Sequence, residues 1–128
     1  MIPLQLVFSF PPPAGIMRSL LLDSAAPQKL VERVQAAVRK THPKVMAART
    51  RAVFAVNEIG ALRKLLCPVL YLRGTNDHLV PQRNVEEIAR NVAIFRQCNI
   101  NGQHMLLQTE SVRAWEAIEP FLRETGAG

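Results

Sequence analysis

Apolar residues fall into two regimes along this chain. Between residues 28 and 66 they recur at three- and four-residue steps, and beyond residue 67 they gather into short runs separated by turn residues. In the first regime, Leu30, Val31, Val34, Ala37 and Val38 predict an amphipathic helix over residues 28–40. Asp23-Ser24-Ala25-Ala26-Pro27 offers its start and Thr41-His42-Pro43 breaks it. A second helix opens at Pro43 or Lys44, with Val45, Met46, Val53, Val56, Ile59, Leu62 and Leu66 as its apolar positions. Gly60 ends or divides it. Ahead of both, Leu4 to Phe10 reads as a strand stopped by Pro11-Pro12-Pro13, and residues 16–22 as one or two helical turns. In the second regime, residues 68–72 form an unbroken apolar run, as in a strand covered on both faces. Residues 81–89 predict a helix with Val85, Ile88 and Ala89 inward, and residues 93–100 a second strand. The final helix is expected over residues 111–122, with Ser111 as N-cap and Val112, Trp115, Ile118, Phe121 and Leu122 as its apolar face. Residues 124–128 read as a frayed tail. Strand, helix, strand, helix at this spacing is the pattern of a parallel α/β unit.

Composition narrows the picture without redirecting it. A chain of 128 residues that is 48% hydrophobic fits one compact domain, and with aromatics at 5% its core rests on Leu, Val, Ile and Ala. No stretch approaches the ~18 uninterrupted apolar residues of a membrane span. No basic region precedes the first apolar run, so a signal peptide is not expected and a cytoplasmic location is. Nine of the sixteen Lys and Arg lie between Lys29 and Lys64, opposed by Glu32 and Glu58 alone. That segment reads as a solvated helical face; nucleic acid or an anionic surface is the alternative partner, with no nucleic-acid motif accompanying it. Cys67 and Cys98 sit in or beside strand-like runs and are expected as buried free thiols, with no metal-ligand spacing and no disulfide. No cofactor is implied.

The chemistry gathers in two loops. Asp77 ends the segment Leu72-Arg73-Gly74-Thr75-Asn76-Asp77, and His104 lies in Asn101-Gly102-Gln103-His104, each just past a predicted strand. Parallel sheets carry reactive loops beyond the carboxyl ends of their strands. An acid and a histidine so placed match the last two members of a serine-hydrolase triad in chain order. In that scheme Asp77 orients the imidazole and His104 is the general base. Alone, Asp77 would be an ordinary turn former and His104 an ordinary loop histidine. His78 reads as an exposed loop residue and His42 as a helix-breaking surface residue. Met105, Leu106 and Leu107 read as packing that holds the loop.

These segments resemble the small carboxylesterase-like members of the α/β-hydrolase superfamily, the group that includes pimeloyl-ACP methyl ester carboxylesterase. The resemblance rests on Pro68 to Gly74, Asp77 to Pro81, Gly102 to His104, and Trp115 with Phe121-Leu122. It implies a partial hydrolase fold of three parallel strands, the family's sixth to eighth. Residues 1–10 would hold the first strand, residues 11–66 a helical cap-like insertion, and residues 67–124 the α/β unit with the acid and histidine loops. The implied activity is carboxylic ester hydrolysis. The departures are equally plain. No G-x-S-x-G occurs, and none of Ser9, Ser19, Ser24 and Ser111 lies on a Gly-flanked strand-to-helix turn. The chain is therefore expected to supply the acid and histidine of a Ser-Asp-His triad completed elsewhere, with a small ester as substrate and little or no activity alone. Two alternatives stand beside this: a non-catalytic interaction or dimerisation module using the open edge of Leu4 to Phe10, and a basic binding module carried by residues 29–64.

Overall fold

The computed structural model describes Ser9 and residues 12–126. The strand expected from Leu4 to Phe10 lies outside the described residues except for Ser9, which sits in an exposed turn. The described residues form a mixed α/β structure with seven helices and a two-stranded parallel sheet. The elements run α1 (Ala14–Leu20), α2 (Gln28–Lys40), α3 (Pro43–Ala55), α4 (Ile59–Leu62), β1 (Val69–Gly74), α5 (Gln82–Asn91), β2 (Phe95–Ile100), α6 (Leu106–Thr109) and α7 (Ser111–Glu124).

Strands β1 and β2 pair in parallel, from Val69 opposite Phe95 to Gly74 opposite Ile100. A parallel pair needs a crossover, and residues 75–94 with α5 supply it. Side chains alternate along each strand, so Leu72 and Cys98 share one face of the sheet. There they pack with Ile100, Leu106 and Ala114. Arg96, on the same face, lies over the Phe121 ring and pairs with Glu124 near the end of α7. On the opposite face Tyr71 and Phe95 bring their rings to 6.4 Å between centroids. Every residue of β1 but Gly74 remains partly exposed, so the strand is less fully covered than its sequence predicts. An unbroken apolar run does not by itself report how completely a strand is buried.

The helical segment builds a second core of its own. Leu22, Ala26 and Val31 are buried together, with Leu21, Leu30, Val34 and Met105 packed around them. The three- and four-residue spacing within residues 28–40 gave α2 its correct bounds. Pro27 and Pro43 help set the limits, since proline is favoured where a helix begins and disfavours helical backbone in the residue before it.

Four helix readings change. The long helix after Pro43 is divided at Val56 rather than Gly60: Val56 turns extended, and Asn57 Oδ1 accepts the Ile59 N–H at 3.3 Å to start α4. Val53, Val56 and Leu66, expected inward, are 70%, 59% and 94% exposed. The N-cap of α7 is Glu110 and not Ser111, because α6 runs almost directly into it and the backbone carbonyl of Glu110 takes the Ala114 N–H at 2.9 Å. The face of α7 is also rotated. Ala114 is fully buried, Ile118, Phe121 and Leu122 are half-buried, and Val112 and Trp115 point outward. Close approach to the sheet requires a small residue at the point of contact, and a search for bulky apolar positions passes over it. Finally, Cys67 is exposed and Cys98 half-buried, so neither is the buried thiol expected; both are free. Cys67 precedes β1, beyond the reach of the sheet's packed face.

Candidate functional site

The turn after β1 and the loop after β2 are stitched together by their backbones. Thr75 N–H donates to Ile100 O at 2.9 Å, and Asn76 N–H to Gly102 O at 3.0 Å. Asn101 Oδ1 accepts from Asn76 Nδ2 at 3.2 Å and from Thr75 Oγ1 at 3.4 Å. Such closeness leaves no room for a side chain at Gly74, where a Cβ would stand 2.4 Å from Gln103 O and 2.7 Å from Gly102 O.

On this platform Asp77 and His104 meet. Asp77 N–H donates back to Gly74 O at 3.1 Å, closing a tight turn. Its Oδ1 accepts the N–H groups of Leu79 at 2.8 Å and Val80 at 3.1 Å, and its Oδ2 lies 2.9 Å from His104 Nδ1. The carboxylate is 8% exposed and the imidazole 40%. Burial pushes the Asp77 carboxyl upward, but the hydrogen bonds from His104, Val80 and Leu79 and the nearby imidazole outweigh it, holding the carboxyl below its usual range. An ionised carboxylate only accepts. Nδ1 is therefore the donor in this contact, and an imidazole in its neutral form has its lone pair on Nε2. Tyr71 sits close enough to feel the same charge: burial first and Asp77 second push its phenol upward, against Arg73.

The loop that carries the imidazole is held from two sides. Met105 joins the helical core and Leu106 the sheet core, and Met105 N–H donates to Leu21 O at 2.8 Å. The loop is thus pinned on both sides, as expected of packing residues. Leu107 departs from that expectation, being 60% exposed. With Leu72, Met105 and Leu106 it lines an open cavity of about 370 Å³ that includes His104. A larger cavity of about 630 Å³ adjoins the paired loops, lined among others by Ser19, Leu20, Asn76, His78 and Gln103. Gln103 fits best with its amide nitrogen toward Ser19 O and Asn76 O. The sequence reading missed the stitching residues Gly74, Asn101 and Gln103. The turn-forming composition of Gly74-Thr75-Asn76 and Asn101-Gly102 was the local signal for them.

An acid-held histidine with a free Nε2 can take a proton from a hydroxyl and return it to a leaving group. Ser19 Oγ donates to Ile16 O and Ser24 Oγ to Asp23 Oδ1, while Ser111 opens α7. A nucleophile elbow is a sharp, strained turn, and among the described residues none other than glycine has a positive φ. No group of three or more potential metal ligands occurs among the described residues. His78 and His42 are exposed; His42 Nδ1 accepts the Lys44 N–H and so caps α3. Among the described residues no helix is long and apolar enough to cross a membrane.

No family model, curated protein or solved structure matches this chain.

Proposed function

We propose that the chain supplies the acid and the general base of a serine carboxylester hydrolase, Asp77 orienting and His104 moving the proton, with the nucleophile supplied from outside this sequence. The observation that carries this reading is the 2.9 Å contact between a buried, downshifted carboxylate and the Nδ1 of a partly exposed imidazole. The pair lies beyond the carboxyl ends of two parallel strands, where α/β folds bind ligands. The cavity at His104 is lined mainly by Leu72, Met105, Leu106 and Leu107, which favours an apolar acyl or alkyl group beside the imidazole. The substrate is a small ester.

Two measurements test it together. Hydrolysis of p-nitrophenyl butyrate by the purified chain should equal that of His104→Ala, at background. The assembly recovered with the tagged chain from its own cells should contain a fluorophosphonate-reactive serine on another polypeptide. Its esterase turnover should fall roughly 10³-fold or more with His104→Ala or Asp77→Asn. His104-dependent turnover by the chain alone, or an assembly indifferent to both substitutions, overturns the reading.

A second reading rests on a separate observation: Val53, Phe54, Val56 and Leu66 are apolar and largely exposed. An interaction module without catalysis would keep its association when Asp77 and His104 are replaced, and lose it when these residues are made polar.

A further inference from the structure

The stretch from Arg33 to Asn57 takes no part in the acid–imidazole site. It carries six cations, Arg33, Arg39, Lys40, Lys44, Arg49 and Arg51, and no carboxylate, with Glu32 and Glu58 at its limits. All six are exposed. Among the described residues none of them forms an ion pair. Among the described residues helix α3 in the same stretch has few partners: Ala47 is its one buried residue, and no described element packs extensively against it. Residues 51–58 are all exposed, and Phe54 is 84% exposed. The end of α3 is therefore an apolar tip, Val53-Phe54-Ala55-Val56, standing just beyond Arg49 and Arg51.

A tip of this kind held in water is unfavourable, and the partner that covers it must also accommodate uncompensated positive charge. Nucleic acid would satisfy the cations and stack on Phe54, but it has no apolar depth for Val53 and Val56 beside it. The boundary of an anionic bilayer offers both, acyl chains for the tip and lipid phosphates and carboxylates for the cations. At 13 residues α3 is roughly 20 Å long, too short for the ~30 Å hydrocarbon core, so it would lie at the interface rather than span it. We propose that α3 and its C-terminal tip bind anionic lipid surfaces. Phe54 with Val53 and Val56 enters at the headgroup boundary, and Lys44, Arg49 and Arg51 lie on the headgroups. This draws nothing from the geometry of Asp77 and His104.

Vesicle cosedimentation of the full chain tests it, using phosphatidylcholine with and without phosphatidylserine. Binding should be at least tenfold tighter to the serine-lipid vesicles and should weaken with salt. Replacing both Arg49 and Arg51 by Ala should lower it roughly 25-fold, about fivefold per cation. Phe54→Ser should lower it about tenfold and Phe54→Leu much less, on the scale of one apolar side chain losing its burial. All these residues are exposed, and circular dichroism checks that the variants fold. Equal binding to both vesicle types, or no response to the arginine pair, overturns the proposal. Tighter binding to duplex RNA that ignores Phe54→Ser would assign the cations to nucleic acid instead. Phe54-dependent dimerisation without vesicle binding would assign the tip to a second copy of the chain.

Discussion

Residues 43–67 are richer in apolar residues than residues 69–124, yet the two regions have opposite fates. In residues 69–124, two strands, two cross-linked loops and the small residues Gly74, Gly102 and Ala114 bring backbones together, and side chains such as Ile100 and Leu106 are buried as a result. In residues 43–67, the apolar residues of α3 are spread around the helix rather than gathered on one face, and Ala47 alone is buried. The difference lies in whether the apolar residues form a stripe and whether anything faces it. A stripe makes a helix amphipathic; a closely apposed second element turns that stripe into a core. Where small residues and backbone hydrogen bonds fix the apposition, the chemistry of Asp77 and His104 follows.

The sharpest way to break the contrast is Gly74→Ala. Its methyl group would meet the backbone oxygens of Gln103 and Gly102, which cannot move without opening the loop pairing. Denaturation should show a loss of about 3 kcal/mol, at the upper end of overpacking costs. Gly102→Ala should cost less, about 1 kcal/mol, because its close neighbour at 2.8 Å is a Leu106 methyl group that can turn aside. Next comes Asp77→Ala, which strands the Leu79 and Val80 N–H groups as well as the imidazole. A loss of about 2 kcal/mol is expected by chemical denaturation, while Asp77→Asn, which keeps an acceptor for both amides, should lose less. Equal losses from the two would mean that the backbone bonds contribute nothing.

Acidity sharpens the same point. The folded Asp77 carboxyl is held below its unfolded value of 3.8, so its contribution to stability is fully present above that value and is lost as pH falls through the lower folded value. Denaturation at a series of pH values from neutral downward should show this loss in the parent chain and not in Asp77→Asn. Parallel curves would sink the assignment. At the smallest end, Phe54→Ser and Leu66→Ser should change stability by no more than about 0.5 kcal/mol, since neither side chain is buried. A large loss from either would show that residues 43–67 have a packed core after all.

Legibility in the sequence follows the same division. Both strands of the α/β unit, α2 and the loops of Asp77 and His104 could be read, because apolar runs bounded by Gly, Asn and Asp, and one clean helical period, are local signals. The stitching of those loops through Asn101, the close pass at Gly74 and the contact of Ala114 with the sheet could not. Each depends on a partner distant in the chain, and each uses a residue that periodicity does not count. The break at Val56 was missed for a related reason: a helix ends where nothing packs on its next turn, and the spacing of valines continues regardless.

The arrangement of Met105 and Leu106 has a consequence for how signals travel. Adjacent peptide units anchor in two separate cores, and His104 directly precedes them. The imidazole is thereby a reporter of the spacing between those cores. A ligand that shifts the helical half against the sheet changes how His104 is presented, and occupancy at His104 shifts the helical half by the same coupling free energy, since such linkage is reciprocal.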